Sequence, residues 1–383
     1  PEQVFRGFNS IYRAARGTLD NSAMLVHLLL RFYDNPVAWQ RVMRLTFQAW
    51  GIPGSQLIGV SEGVGESAIN SFFRNFDDMS QSAGRLSAAN WASHGLAITG
   101  SETEFMLGGT LGVGGTRGVR AVLGELPGIR NANRAFGAAG DAARLEWADD
   151  YLEGMLRKNS MEELVARGDL EKIAKSINGA TGWSPHRVGG NLGDLVLFAP
   201  RFFASRFETL GRAVAGTPSM MVKPFGPHGV PLPGGWELGS VEQRMAARSM
   251  LKMISIGTML TFGVNEMQGF DTDMRPVIKI NENTPRERWI KNSNFMRTPW
   301  GTDVSLFGTW DSLAGFLITS SLLGQEGGPH EAVRTMASGA VTIIWDIWTG
   351  SDAIGNPTGI GHESSDWARA ATTLLGYFIP FLA

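Results

Sequence analysis

Four groups of residues in the sequence have the types and spacing that chemistry would need, and the first surrounds a serine. Gly59-Val60-Ser61-Glu62-Gly63 matches the GxSxG pattern, in which a strained turn between a strand and a helix holds a nucleophilic serine. The preceding residues, 52–58, are marked by glycine and proline and do not predict a central strand. The chain also lacks an alternating pattern of strands and helices. We therefore interpret this match as a coincidence in a glycine-rich chain.

The second group is a glycine-rich stretch, Gly112-Val113-Gly114-Gly115-Thr116-Arg117-Gly118, which invites comparison with phosphate-binding loops. A Walker loop ends in Gly-Lys followed by Ser or Thr, and this stretch has no such lysine. A dinucleotide-binding turn would follow a strand and precede an acidic residue by about twenty positions. We predict a loop over 107–118 and no cofactor.

The third group comprises candidate metal ligands and paired acids. No two histidines are spaced i, i+4 on a helix, and no HExxH motif occurs; the histidines are His27, His94, His186, His228, His330 and His362. Asp271 and Asp273 offer two carboxylates without the further oxygen ligands that a cation site needs. We interpret the pairs Asp77-Asp78 and Asp149-Asp150 as solvated helix faces. The sequence thus predicts no catalytic, cofactor-binding or metal-binding residues, and we expect a protein that is not an enzyme.

The fourth group keeps one enzymatic alternative open. Glu62, Glu66, Glu102 and Glu104 form a mildly suggestive set of acids. Glycoside hydrolysis uses two convergent carboxyl groups, which distant segments of a chain can supply. The alternative function is therefore a peptidoglycan-degrading or other enzyme domain.

The composition of the chain narrows the remaining classes of function. The 383 residues include no cysteine, which excludes disulfides, thiolate nucleophiles and Cys-ligated metals. A formal net charge of −2 argues against a dedicated nucleic-acid-binding protein. Glycine, at 49 residues or about 13 %, is nearly twice as frequent as usual. Its distribution suggests hinges between short helices. The chain begins at Pro1, so we expect it to be part of a longer polypeptide.

The elements that must position these residues are predicted to be mainly α-helical: short helices joined by Gly/Pro-rich loops. We divide the chain into an N-terminal helical region (1–132), a central helical region (133–217), a Pro/Gly-rich arm (218–240) and a C-terminal helical region (241–383). The clearest helices are predicted over 36–50, 141–158, 163–177 and 241–264, where apolar residues recur at helical spacing. A small β-hairpin is expected within 277–307, turning at Pro299-Trp300-Gly301.

Three further features concern surfaces. Five prolines between Pro218 and Gly235 exclude a continuous helix there and predict a long extended arm. Three uncharged apolar segments, 253–265, 312–325 and 370–383, are too short to span a bilayer, so they are either buried helices or interfacial segments. The 12 tryptophans have three alternative roles: core packing, interface contacts or an aromatic belt at a membrane surface.

Several stretches together resemble a module of tailed-bacteriophage proteins, namely internal virion (ejection) proteins and the C-terminal part of large polyvalent phage polypeptides. They occur in the same order and spacing over roughly residues 85 to 360: Asn133-Arg134-Ala135-Phe136, 177–182, 197–206, 244–248, 300–308 and 349–357. The sequence departs from the family at Trp183-Ser184, where relatives tend to carry a basic residue and glycine.

The resemblance implies a structural virion protein that is ejected with the genome and oligomerises to form or gate part of the DNA delivery conduit across the host envelope. It implies four kinds of partner: copies of itself, other phage ejection or portal proteins, a host membrane surface, and phage DNA passing through without sequence recognition. The implied location is the virion and, after ejection, the host periplasm or inner membrane. The absence of cysteine suits passage between redox compartments.

Overall fold

The structure is a computed structural model that describes residues 28–51, 65–98, 127–186, 200–221, 240–269, 295–297, 303–307 and 310. This part of the chain is mainly helical, as the sequence predicts. Its helices are α1 (Leu29–Asp34), α2 (Pro36–Trp50), α3 (Glu66–Ser82), α4 (Ala88–Ser93), α5 (Pro127–Leu156), α6 (Met161–Ala166), α7 (Asp169–Ala180), α8 (Pro200–Met221) and α9 (Val241–Met267).

Helix α2 begins and ends where its sequence predicts. The side chain of Asn35 accepts a hydrogen bond from the amide of Ala38, and Pro36 occupies the first helical position, where its missing N–H costs nothing. Gly51 ends the helix in the left-handed conformation (φ 99°), which glycine adopts without strain. These local signals confirm the predicted bounds of 36–50.

Helix α5 lies at the centre of the described fold. It begins earlier than the predicted 141–158, and the region boundary drawn after residue 132 falls inside it. Small buried alanines line its first half, which lets α2 approach closely; they are Ala135, Ala138, Ala139, Ala142 and Ala143. Larger apolar side chains from α5 then join one hydrophobic core with residues of α2, α7 and α9. Burial of this shared core is the main stabilising term of the fold.

The stretch predicted as one helix over 163–177 is two helices. Ser160 forms a capping box with Glu163, which starts α6 as expected. Gly168 then adopts the left-handed conformation (φ 62°), which interrupts the helix before Asp169 starts α7. Asn178 and Gly179, predicted to end the helix, lie inside it. Glycine at 179 allows α8 to approach closely, because a Cβ there would lie 2.8 Å from Arg212 Nη1 and 2.9 Å from the Thr209 hydroxyl of α8.

Helices α8 and α9 pack against each other as a pair. A Cβ on Gly216, near the end of α8, would overlap the carbonyl oxygen of Gln243, near the start of α9. The end of α8 therefore lies beside the beginning of α9, which makes the two helices an antiparallel hairpin. Helix α8 continues through Met221, and the rest of the predicted Pro-rich arm, 222–239, lies outside the described residues.

Two three-residue strands pair antiparallel, with Phe295 opposite Ser305 and Arg297 opposite Asp303. They are β1 (Phe295–Arg297) and β2 (Asp303–Ser305). The chain after β2 is fixed to α1 because the hydroxyl of Tyr33 donates a hydrogen bond to the carbonyl of Leu306 (2.8 Å). The remainder of the predicted hairpin region 277–307, including its turn, lies outside the described residues and stays a prediction.

Within the described ranges, the structure contains no helix that is both long enough and apolar enough to cross a lipid bilayer.

Candidate functional site

A network of charged side chains runs along α5 and connects it to neighbouring elements. We call it the α5 charge network; its members are Arg31 and Asp34 of α1, Arg41 of α2, Arg85 after α3, Glu146, Asp149, Asp150 and Glu153 of α5, and Lys252 of α9. Acids on α5 thus contact cations from the helices around it. Ionisable groups from α1, α2, α5 and α9 meet in this network, which makes it a candidate site.

Asp34 is the most connected acid of this network. Its carboxylate accepts hydrogen bonds from Lys252 Nζ (2.7 Å) and Trp147 Nε1 (3.0 Å), and Arg31 Nη1 lies 3.9 Å away. Lys252 also donates to the main-chain oxygen of Asp34 (3.1 Å). The side chain of Asp34 is 10 % exposed, so little solvent screens these contacts. One carboxylate therefore joins α1, α5 and α9.

Arg31 carries a fully buried guanidinium group. Its Nη2 donates to Asp150 Oδ2 at 2.7 Å, and the Nδ2 of Asn35 donates to the same oxygen at 3.1 Å. The guanidinium also lies over the indole ring of Trp147, 5.8 Å from its centroid, where the ring quadrupole attracts a cation. The pair therefore fixes α1 on α5 from inside the fold.

Asp149 was predicted to lie on a solvated helix face, and the structure corrects this. Its side chain is 14 % exposed and Oδ1 lies 3.1 Å from Arg85 Nε. Burial raises the pKa of Asp149 to about 6, although the charge of Arg85 opposes that rise. Arg85 Nη1 also donates to Glu153 Oε2 at 2.9 Å. Asp149 looked solvated because the sequence does not show that Arg85 reaches it, whereas Asp150 is exposed as predicted.

Glu146 has the most perturbed pKa among the acids of this network. Burial raises the pKa of Glu146 to about 7, with the charges of Arg41 and Arg31 acting in the opposite direction. Arg41 Nε lies 3.6 Å from Glu146 Oε1, while Oε2 is buried without a hydrogen-bond partner among the described residues. Glu146 therefore exchanges a proton near neutral pH.

A second set of buried polar residues coincides with the motifs of the phage resemblance. Arg134 Nε donates to the carbonyl of Ala49 at the end of α2 (2.9 Å). Asn178 of α7 makes two bonds to the segment after α4: its Nδ2 donates to Gly95 O (2.8 Å), and its Oδ1 accepts from the amide of Ala97 (2.9 Å). Each of these side chains fixes the main chain of another element.

The motif residue Thr181 is held by a buried arginine of α5. Arg144 Nε donates to Thr181 Oγ1 (2.9 Å), and its Nη1 donates to Ala97 O (2.9 Å) and lies 3.5 Å from Asp141 Oδ1. This guanidinium is nearly fully buried, and it links α5, the end of α7 and the segment after α4.

Arg206 of α8, which belongs to the 197–206 motif, also links two parts of the fold. Its Nη1 donates to the carbonyl of Ala180 (2.9 Å), and its guanidinium lies 4.6 Å from the centroid of Trp310. Burial lowers the pKa of Arg206 to about 9, which still leaves it charged at pH 7. The cation stacks on the indole face, an arrangement that partly offsets its desolvation.

The serine motif 59–63, the glycine-rich stretch 112–118 and three of the four suggestive acids, Glu62, Glu102 and Glu104, lie outside the described residues. Glu66 is exposed at the start of α3. His94 contacts Glu171 through Nδ1 at 2.8 Å. No group of three or more His, Asp or Glu side chains in the described ranges is arranged to hold a metal ion.

One small cavity lies where several of the described helices meet. A cavity between α1, α5, α7, α8 and α9 has a volume of about 10 Å³, room for about one water molecule. Trp147 and Thr209 are among its lining residues. The contacts of the α5 charge network join the helices to one another.

Sequence reasoning missed Arg31, Asp34 and Arg144, because each pairs with a residue far away in the chain. A weak signal was available: an arginine or acid at an apolar position of a helical pattern must be buried and paired if the helix is to pack.

Comparison of this chain with protein-family profiles, curated proteins and solved structures finds no match. The fold and these contacts define a mainly helical protein whose elements are joined by buried polar side chains. The phage resemblance rests on the sequence motifs.

Proposed function

We propose that this chain is a structural phage virion protein that is ejected with the genome and oligomerises to form or gate part of the DNA delivery conduit. Its partners are copies of itself, other ejection or portal proteins, a host membrane surface and passing DNA. It acts first in the virion and then in the host periplasm or inner membrane.

The observation that carries the proposal is the role of the residues that carry the resemblance. Arg134, Asn178, Thr181 and Arg206 each make a hydrogen bond to another part of the fold, and the bonds of Thr181 and Arg206 are buried. In an enzyme, the distinctive polar residues converge on a substrate pocket. Here they are distributed through the fold and fix the helices relative to one another, which suits a protein that presents surfaces to neighbours.

The antiparallel arrangement of α8 and α9 supports the proposed role of the arm. The close approach of Gly216 to Gln243 places the two ends of segment 222–239 at the same end of the helix pair. We propose that this segment contacts a neighbouring subunit.

Mass photometry of the full chain tests this. We expect an assembly of defined mass for the unaltered chain, and a smaller species when 222–239 is replaced by a Gly-Ser segment of equal length. Circular dichroism and the unfolding midpoint should be unchanged by the replacement, because the α8–α9 contact remains. An unchanged assembly mass would exclude the arm as the contact, and a chain that stays monomeric would exclude the conduit.

One observation favours the enzymatic alternative. Glu146, with its pKa raised to about 7, is protonated in the range where a glycosidase needs its general acid. If the chain degrades peptidoglycan through this residue, Glu146→Gln abolishes clearing of a peptidoglycan film, whereas Glu153→Gln on the same helix leaves it unchanged. Absence of clearing by the unaltered chain would exclude this function.

A further inference from the structure

The second half of α9 presents its apolar side chains away from the body of the protein. We call these residues the outer face of α9; they are Ile254 (49 % exposed), Ile256 (38 %), Met259 (73 %) and Leu260 (41 %). A surface helix of a protein in water has the opposite arrangement, with polar residues outward.

The inward positions of the same segment are small or polar. Gly257, Thr261 and Asn265 are buried and follow one another at every fourth position. A Cβ on Gly257 would lie 3.0 Å from the ring of Phe307 and 3.0 Å from the hydroxyl of Tyr33, so the helix approaches its neighbours closely there. Small inward residues with apolar outward residues are typical of helices that pack in a lipid environment.

The composition of the segment also favours a lipid environment. Between Lys252 and Glu266 there is no charged residue. The 253–265 segment also contains two glycines and several β-branched residues, which are poor helix formers in water. In a lipid environment the helix is favoured regardless, because every unpaired backbone group would be costly.

Size distinguishes a lipid surface from a second copy of the chain as the occupant. Thirteen helical residues extend about 20 Å, and a helix is about 10 Å wide, so the face covers about 200 Å². A stable dimer of standard size buries about 800 Å² per partner. The length is also below the ~30 Å of a bilayer core, which fits a helix lying in the interfacial layer. Arg248, exposed before the apolar segment, supplies a cation for anionic headgroups.

We infer that the outer face of α9 inserts into the interfacial layer of an anionic phospholipid bilayer. This face is the part of the chain that meets the membrane surface, and the biological setting of that contact rests on the proposed function. The binding itself is measured separately from assembly.

The absence of cysteine makes a site-specific test direct. An environment-sensitive fluorophore is attached to Met259→Cys and, as a matched control, to Met79→Cys, which is also an exposed methionine on a helix (57 %). The probe used is vesicles of phosphatidylethanolamine and phosphatidylglycerol. We expect a blue shift at position 259 on adding vesicles and none at position 79. No shift at 259, or equal shifts at both positions, would overturn the inference.

Vesicle flotation supplies the second measurement. The triple variant Ile254→Gln, Met259→Gln, Leu260→Gln should weaken binding by about tenfold or more, because it removes three apolar contacts with lipid. The control variant Val37→Gln, Met79→Gln, Val214→Gln changes three other exposed apolar residues (67 %, 57 % and 65 % exposed) and should bind normally. Equal binding by both variants would contradict the inference.

The two proposals fail separately. If the outer-face variant loses assembly in the absence of lipid, a second copy occupies the face and the lipid inference is wrong. Vesicle binding by a chain that remains monomeric would leave the inference standing and exclude the conduit. If the unaltered chain assembles but does not bind vesicles, the lipid inference is wrong and the conduit proposal stands.

Discussion

Replacing Asp34 tests whether the α5 charge network fixes the helices. Asp34→Ala removes the acceptor for Lys252 Nζ (2.7 Å) and Trp147 Nε1 (3.0 Å), and it removes the second acid beside Arg31. The side chain of Arg31 is fully buried, so water cannot replace the lost negative charge there. Helix α1 loses its side-chain ion pair with α9 in the same step and keeps the hydrogen bond from Lys252 to the main-chain oxygen of residue 34.

The expected cost follows from burial. Removing one partner of a buried ion pair costs about 3–5 kcal/mol of unfolding free energy, because the other charge is left uncompensated. Two features lower the figure: Lys252 is 29 % exposed and regains some hydration, and Arg31 keeps its contact with Asp150 (2.7 Å). The indole N–H of Trp147 is left without its acceptor and adds about 1 kcal/mol. We expect a total of about 3–4 kcal/mol.

Glu153→Ala is the matched control. Glu153 also contacts two cations, Arg85 (2.9 Å) and Arg157 (3.0 Å), but its side chain is 50 % exposed. Exposed pairs of this kind contribute about 0.5 kcal/mol. Urea unfolding followed by tryptophan fluorescence measures both variants. A cost below about 1 kcal/mol for Asp34→Ala, or equal costs for the two variants, would refute the account of the network.

Three further predictions concern packing, pH and a main-chain clamp. Gly216→Ala should destabilise the chain by about 2 kcal/mol or more, because the new Cβ overlaps the carbonyl of Gln243, whereas Gly211→Ala, with open space around it, should be neutral or stabilising in urea unfolding. Folding raises the pKa of Glu146 to about 7 from 4.5, so the folded state holds its proton more tightly; stability should fall between about pH 4.5 and 7, and Glu146→Gln should flatten that part of a pH series of unfolding midpoints. Asn178→Ala loses two main-chain hydrogen bonds and should cost about 2 kcal/mol, and hydrogen exchange should rise in segment 94–98; unchanged exchange there would contradict the clamp.

Local structure was the part of the fold that the sequence could predict. The cap at Asn35, the proline at position 36 and the terminating Gly51 together define α2, because each acts within a few residues of the helix end. The capping box at Ser160 is a similar case. The break at Gly168 was missed because a glycine is tolerated within a helical pattern, and tertiary contacts decide whether it interrupts the helix.

The charge network could not be predicted because its pairs connect distant parts of the chain. Arg31 and Asp150 are 119 residues apart, and Lys252 and Asp34 are 218 apart. Helical spacing shows which side chains share a face, but it does not show which other helix covers that face. Asp149 therefore looked like any solvated acid. The outward position of the apolar residues of α9 could not be predicted either, because an uncharged segment is equally consistent with a buried helix.

Electron cryomicroscopy of the full chain tests the central claim most directly, because it shows whether copies of the chain form a conduit. We expect copies of the chain to form a closed ring or tube with an open lumen, without any added substrate. A monomeric particle, or a compact oligomer without a passage, would contradict it.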